Sequence, residues 1–184
     1  MKKIKIWKNT SVLDQFNQGL YFTDDKLAAD ILLLGSRNIK IEEFTNLKAI
    51  FRAGVGTDNI PIKACENRNI LLELPSQETR DVLYEETANF TISLMLKMLY
   101  PQPSISTPWK KTYRACLKNK NALIIGTGNI GTRVKNKLKL IMQVSTYDAI
   151  NNRESELKSL IEDADIISLH IPSLPENINF IDSH

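Results

Sequence analysis

Two cysteines and two histidines in 184 residues leave little material for a metal centre or a disulfide framework. Cys65 and Cys116 lie far apart and share no metal or redox spacing, so both read as reduced thiols of a cytoplasmic protein. No apolar run approaches the length of a membrane span. Met1-Lys2-Lys3 has the charge of a signal n-region, but Ile4-Lys5-Ile6-Trp7-Lys8 alternates as a strand does and offers no apolar h-region. Charge of one sign is also scarce. The formal net charge is +3, spread along the chain without clustered Lys/Arg and stacking aromatics, and this argues against a nucleic-acid partner. Internal repeats and low-complexity tracts are missing. What remains, 42% hydrophobic and 24% charged residues, suits an ordinary folded chain of one large domain or two small ones.

Glycine is used sparingly, which makes the cluster Gly126-Thr127-Gly128-Asn129-Ile130-Gly131 conspicuous. It follows the apolar run Ala122 to Ile125 and precedes Ile130, Val134, Leu138 and Ile141, one apolar stripe of a helix. The first glycine permits the strand-to-helix turn, the second lets backbone approach a phosphate, and the third allows close helix–strand packing. Arg133, Lys135, Lys137 and Lys139 read as a solvated face. Gln143 to Tyr147 reads as the next strand, Glu154 to Glu162 as a helix and Asp165 to His170 as a third strand, giving a βαβαβ unit. Asp148 ends the second strand, where an acid accepts ribose hydroxyls and repels a 2′-phosphate, so the expected cofactor is NAD.

The first hundred residues also alternate. Strands are expected at Ile4 to Trp7, Asp30 to Leu34, Leu47 to Arg52 and Ile70 to Leu72, with helices at Ile41 to Thr45 and Pro61 to Asn67. That pattern implies a second parallel sheet. Asp81 to Leu99 reads as a long helix, apolar at Leu83, Phe90, Leu94, Met95 and Met98 and so expected to be buried on more than one side. The segment from Pro101 to Pro108 carries three prolines and two serines and reads as an interdomain connection. The expected layout is a domain at 1–100, a connection at 101–120 and a second domain at 121–184.

In this order the motifs resemble a known family. Leu47-Lys48-Ala49-Ile50-Phe51-Arg52-Ala53-Gly54-Val55-Gly56-Thr57-Asp58-Asn59-Ile60, Glu85-Glu86-Thr87, the glycine fingerprint and Ala164-Asp165-Ile166-Ile167-Ser168-Leu169-His170-Ile171-Pro172 are similar to segments of the NAD-dependent D-isomer-specific 2-hydroxyacid dehydrogenases. The phosphoglycerate dehydrogenase branch is the nearest in pattern. The resemblance implies an α/β protein, a flavodoxin-like substrate domain (incomplete) followed by the first βαβαβ half of a Rossmann NAD-binding domain. It implies that Gly54, Val55 and Gly56 line a carboxylate pocket, for which a nest of backbone N–H groups is suited, with Arg52 placed for a second anionic group of a small-molecule substrate. It implies cofactor contacts at Gly126, Gly128, Asn129, Ile130, Gly131, Asp148, His170 and Pro172. Asp58-Asn59 is read as turn and helix-cap chemistry ahead of Pro61.

There are departures. Glu73-Leu74-Pro75-Ser76 stands where the family has an Asn-Thr-Pro turn, and Asn129 stands where a basic residue is usual. The family's catalytic Arg, Glu and His fall beyond residue 184, so no catalytic residue is assigned here; His170 and His184 match no catalytic position. The expectation is a dehydrogenase-family chain inactive alone because truncated. The alternatives are an NAD-binding module and a corepressor-type interaction protein without catalysis. An open edge beside the strand Ala122 to Ile125 is expected to make a homo-oligomer.

Overall fold

The computed structural model describes residues 3–16, 18–100, 114 and 116–181. The chain forms two compact units, Met1–Leu83 and Tyr84–His184. The whole of the proline-rich segment Pro101 to Pro108, residues 109–113 and His184 lie outside the described residues.

The first unit is a parallel five-stranded sheet. Its strands are β1 (Lys5–Lys8), β2 (Tyr21–Phe22), β3 (Ile31–Leu34), β4 (Ala49–Arg52) and β5 (Leu71–Glu73), in the order β2-β1-β3-β4-β5. Helix α1 (Ile62–Asn67) connects β4 to β5. Leu32, Leu34 and Ile50 are fully buried and, with Ile41, Phe44 and Cys65, form the core on which the sheet rests. β2 is only two residues long and exposed on both, so it leaves no periodicity to read. Ile41 to Thr45, expected as a helix, is a 3₁₀ turn at Ile41–Glu43. Ile41 and Phe44 both anchor in the core, Phe44 is extended, and the Arg68 guanidinium donates to the carbonyls of Ile41 and Phe44, which a longer helix would occupy.

Helix α2 (Gln77–Leu99) starts about one turn before the expected Asp81. Ser76 explains the earlier start: its hydroxyl accepts from the Thr79 N–H at 3.2 Å, as an N-cap does. The unit boundary falls inside this helix, at Leu83/Tyr84, ahead of the prolines. Burial on more than one side is not what the helix shows. Ala88 and Met95 are buried, whereas Leu83, Phe90, Leu94 and Met98 are exposed, Met98 by 77%. One stripe packs on the second unit's core, and Phe90, Leu94 and Met98 lie outside it.

The second unit continues with β6 (Asn121–Ile125), α3 (Asn129–Leu138), β7 (Gln143–Tyr147), α4 (Glu154–Glu162) and β8 (Ile166–Leu169). The expected βαβαβ succession is present, and its sheet is parallel with order β7-β6-β8. The open edge expected beside β6 is therefore absent: β8 runs along it, Ala122 opposite Ile166 and Ile125 opposite Leu169. Ala122, Leu123, Ile124 and Ile125 are all 0% exposed, so β6 is apolar on both faces and is satisfied only as a central strand. Association through a β6 edge is excluded by the same pairing. The open edges among the described residues are β7 and β8.

Both sheets are pinned at their N-terminal ends by the same chemistry. Asp30 accepts from the Lys5 N–H and from Lys48 Nζ, and Asp165 accepts from the Asn121 N–H and from Lys120 Nζ. The lysine and the backbone amide at Asp165 hold its carboxyl below the usual carboxylate range. Truncating Ile124 should expose how much β6 carries. Ile124→Ala is expected to lower stability by about 2–5 kcal/mol, read as a shift in the denaturant midpoint at constant slope.

Candidate functional site

The carboxyl ends of β6, β7 and β8 meet at a crevice. β7 and β8 lie on opposite sides of β6, so a topological switch point falls between β6 and β8, where open α/β sheets bind ligands. Gly126 continues the β6 ladder by donating to the Tyr147 carbonyl at 2.8 Å and then turns in the left-handed region at φ +90°. A β-carbon there would lie 2.6 Å from the His170 carbonyl oxygen. Helix α3 begins immediately afterwards, and a β-carbon on Gly131 would overlap the Gly126 carbonyl oxygen. Gly128 is different: nothing stands within 4 Å of the place a β-carbon would take. It is also the N-cap of α3 and offers no side chain to the first N–H groups of the helix. The three glycines thus make one turn, one open approach and one close contact. An anion can therefore reach the uncapped helix end over Gly128.

Asp148 faces that loop from the end of β7. Its Oδ2 accepts from both the Thr127 N–H and the Thr127 hydroxyl, each at 2.7 Å, and its Oδ1 accepts from the Ile150 N–H at 3.2 Å. The Thr127 amide first, then the Thr127 hydroxyl and the Ile150 amide, hold the carboxyl below its ordinary range. Thr132 tightens the loop from inside α3, its hydroxyl donating to the Thr127 carbonyl at 2.6 Å. Beside this acid lies a cavity of about 540 Å³, lined among others by Gly126, Gly128, Asp148, Ile150, Pro172 and Phe180. It is polar at the loop end and apolar beyond, and its volume is in the range of small-molecule sites.

His170 stands on the far wall, fixed by its backbone N–H on the Ile125 carbonyl at 2.7 Å and by a 3.0 Å contact between its Nε2 and the Ser168 hydroxyl. It is half-buried, and burial pulls its pKa below the ordinary imidazole value. Asn129 is exposed at the first turn of α3, while Ile130 packs on the core. Gly126, Gly128, Asp148, His170 and Pro172 therefore surround one cavity, while Asn129 and Ile130 line a neighbouring one that shares the His170 and Pro172 wall. Of the cations read as a solvated face, Arg133 and Lys137 pair with Glu85, the latter at 2.5 Å, and so tie α3 to α2.

In the first unit the loop after β4 is held from below. Arg52 is 8% exposed; its Nε donates to the Gly56 carbonyl at 2.9 Å and its Nη1 to the Leu34 carbonyl at 3.4 Å. Gly54 lies against the guanidinium, where a β-carbon would come within 2.9 Å of Nη1. The charge of Arg52 is thus under the loop Gly54-Val55-Gly56 and shapes it. Asn59, read as cap chemistry, is buried and donates through Nδ2 to the carbonyls of Gly35 and Arg37, each at 2.9 Å, while α1 takes Pro61 as N-cap. The β1/β3 switch point of this sheet is closed: the Gly35 N–H donates to Asn9 Oδ1 at 2.7 Å, and a β-carbon on Gly35 would meet Thr10 at 2.9 Å. Among the described residues no group of His, Cys, Asp and Glu has the makings of a metal site, and no helix is long and apolar enough to cross a membrane.

Fold and crevice together define an α/β protein built to take a dinucleotide. Comparison with known proteins narrows the class. Residues 100–184 match the family profile described as D-isomer specific 2-hydroxyacid dehydrogenase, NAD binding domain, and residues 28–91 match the catalytic domain of the same family. The D-3-phosphoglycerate dehydrogenase of Archaeoglobus fulgidus is 33% identical over 159 residues, 77% of this chain and 29% of that protein. The hydroxypyruvate reductase of Thermotoga maritima is 31% identical over 162 residues, 80% of this chain and 48% of that one. A D-lactate dehydrogenase from Aquifex aeolicus, solved with NAD and lactic acid, superposes with a TM-score of 0.74 at 20% identity, covering 94% of this chain and 62% of that one. The chain belongs to the D-isomer specific 2-hydroxyacid dehydrogenase family, and residues 100–184 are of its NAD-binding domain. It spans less than half the length of the two curated relatives.

The glycine contacts set a test of the crevice. Gly131→Ala forces α3 away from Gly126 and should displace the loop and abolish ligand binding there, whereas Gly128→Ala should fold normally. Circular dichroism melts of both variants read the difference.

Proposed function

We propose that this chain supplies the NAD-binding crevice and the substrate loop of an oxidoreductase acting on a small 2-hydroxy or 2-keto acid, in the manner of phosphoglycerate dehydrogenases. The observation that carries the reading is the acid at the end of β7, locked onto the glycine turn beside a cavity of nucleoside size. In this reading the backbone N–H groups of Gly128, Asn129, Ile130 and Gly131 hold the pyrophosphate, Asp148 accepts from the adenosine ribose, and His170 and Pro172 wall the adenine side. Bound NAD supplies hydride chemistry; the chain's own residues position it and exclude the 2′-phosphate. Residues 1–100 are then a substrate domain, 101–120 a connection and 121–184 a cofactor domain.

The loop Gly54-Val55-Gly56 offers backbone N–H groups to a carboxylate, and Arg52 contributes by setting its shape and by the positive charge beneath it. His170 is committed to Ser168 and to the cofactor side, so this polypeptide alone is expected to bind NAD without turning over substrate. Calorimetry should find NAD bound and NADP bound at least tenfold more weakly, with Asp148→Ala reducing NAD affinity and erasing most of that preference. NADH-linked assay with hydroxypyruvate phosphate should be flat. Equal affinity for the two coenzymes in the unaltered chain would refute the role of Asp148.

The reading extends to self-association with a second copy of the chain. Edge chemistry favours it: β8 (Ile166–Leu169, IISL) carries neither charge nor proline and is an open edge among the described residues, and Phe90, Leu94 and Met98 are exposed in the same unit. Sedimentation velocity is expected to show a dimer that Ile167→Lys converts to monomer; a monomer at every concentration would dispose of the idea.

A further inference from the structure

Resting on the NAD reading, we propose that Thr127 is a positioning residue for Asp148 and sets how strictly the crevice distinguishes a free ribose 2′-hydroxyl from a 2′-phosphate. The argument is a count of lone pairs. A carboxylate offers about four acceptor positions over its two oxygens. Thr127 fills both positions on Oδ2, one with its amide and one with its hydroxyl, and the Ile150 amide fills one on Oδ1. A single position is left, on Oδ1. Asp148 can therefore accept one further hydrogen bond, from one ribose hydroxyl, and not the pair that a free carboxylate would take.

Two donors on one oxygen also fix the plane of the group. The terminal torsion of an aspartate is soft, and without the threonine hydroxyl only two amides, those of Thr127 and Ile150, would hold the carboxylate. The threonine hydroxyl adds a second donor on Oδ2 and tightens that hold. The loop that carries Thr127 is itself held, because Thr132 ties the Thr127 carbonyl to α3. A 2′-phosphate meets a carboxylate that cannot turn away. It also finds both Thr127 donors already taken, so the loop gives it no compensating hydrogen bond.

Thr127→Val keeps the shape and the amide and removes the hydroxyl; Thr127→Ser restores it. The expected result is a five- to tenfold weaker NAD affinity in Thr127→Val with NADP affinity nearly unchanged, so that the ratio of the two dissociation constants falls, and recovery of that ratio in Thr127→Ser. An independent readout needs no coenzyme: the carbon-13 titration of the Asp148 carboxyl should move up in Thr127→Val and return in Thr127→Ser. A merely structural role would weaken both coenzymes alike. An unchanged ratio together with an unchanged titration, in a chain that binds NAD, overturns the positioning role and leaves the NAD reading standing. Failure of the unaltered chain to bind NAD overturns both.

Discussion

The approach of helix α3 to the end of β6 leaves no space for a side chain at position 131, and the architecture of the crevice depends on that contact. A helix packed so close starts directly over the strand, which directs its unpaired N–H groups along the sheet's carboxyl edge. The same closeness obliges Gly126 to turn left-handed under the His170 carbonyl. His170 can stand there only because β8 is hydrogen-bonded to β6, through a ladder that ends in its own amide on Ile125. Strand order, turn and cavity wall are thus one constraint seen from three sides.

Much of this was legible in the sequence. The apolar run at 122–125, the spacing of three glycines and the acid after the next strand located β6, α3 and β7 because each follows from short-range sterics and periodicity. The neighbour of β6 was not legible. Nothing local in Ile166 to Leu169 states whether that strand adds outside β7 or crosses to the other side of β6, since both arrangements bury the same residues. The full burial of β6 decides it: a strand that apolar on both faces has to be central, and among the described residues β8 covers its second edge. α2 misled for a related reason. Its many apolar residues suggest burial all round, but burial depends on what the rest of the fold lays against each face.

Side chains that act on backbone escaped the sequence reading as a class. Arg52, Asn59, Arg68 and Thr127 each donate to loop carbonyls or to a carboxylate brought near by folding, and these partners are 4 to 27 residues away. Residue type gives no hint of such partners. Arg52 shows the consequence most clearly: a lone arginine two residues before a glycine loop invites the reading of a ligand cation, while its burial makes it the floor of the loop.

The two sheets solve the problem of the switch point in opposite ways. In the first, Asn9 and Thr10 stand against Gly35 between β1 and β3, at the position the topology offers to a ligand. Its glycine-rich loop follows β4 instead, one strand further along the sheet. In the second sheet the switch point stays open, since Gly128 faces empty space where Gly35 faces a threonine. The two related parallel sheets thus differ in whether a side chain stands in the gap beside a glycine.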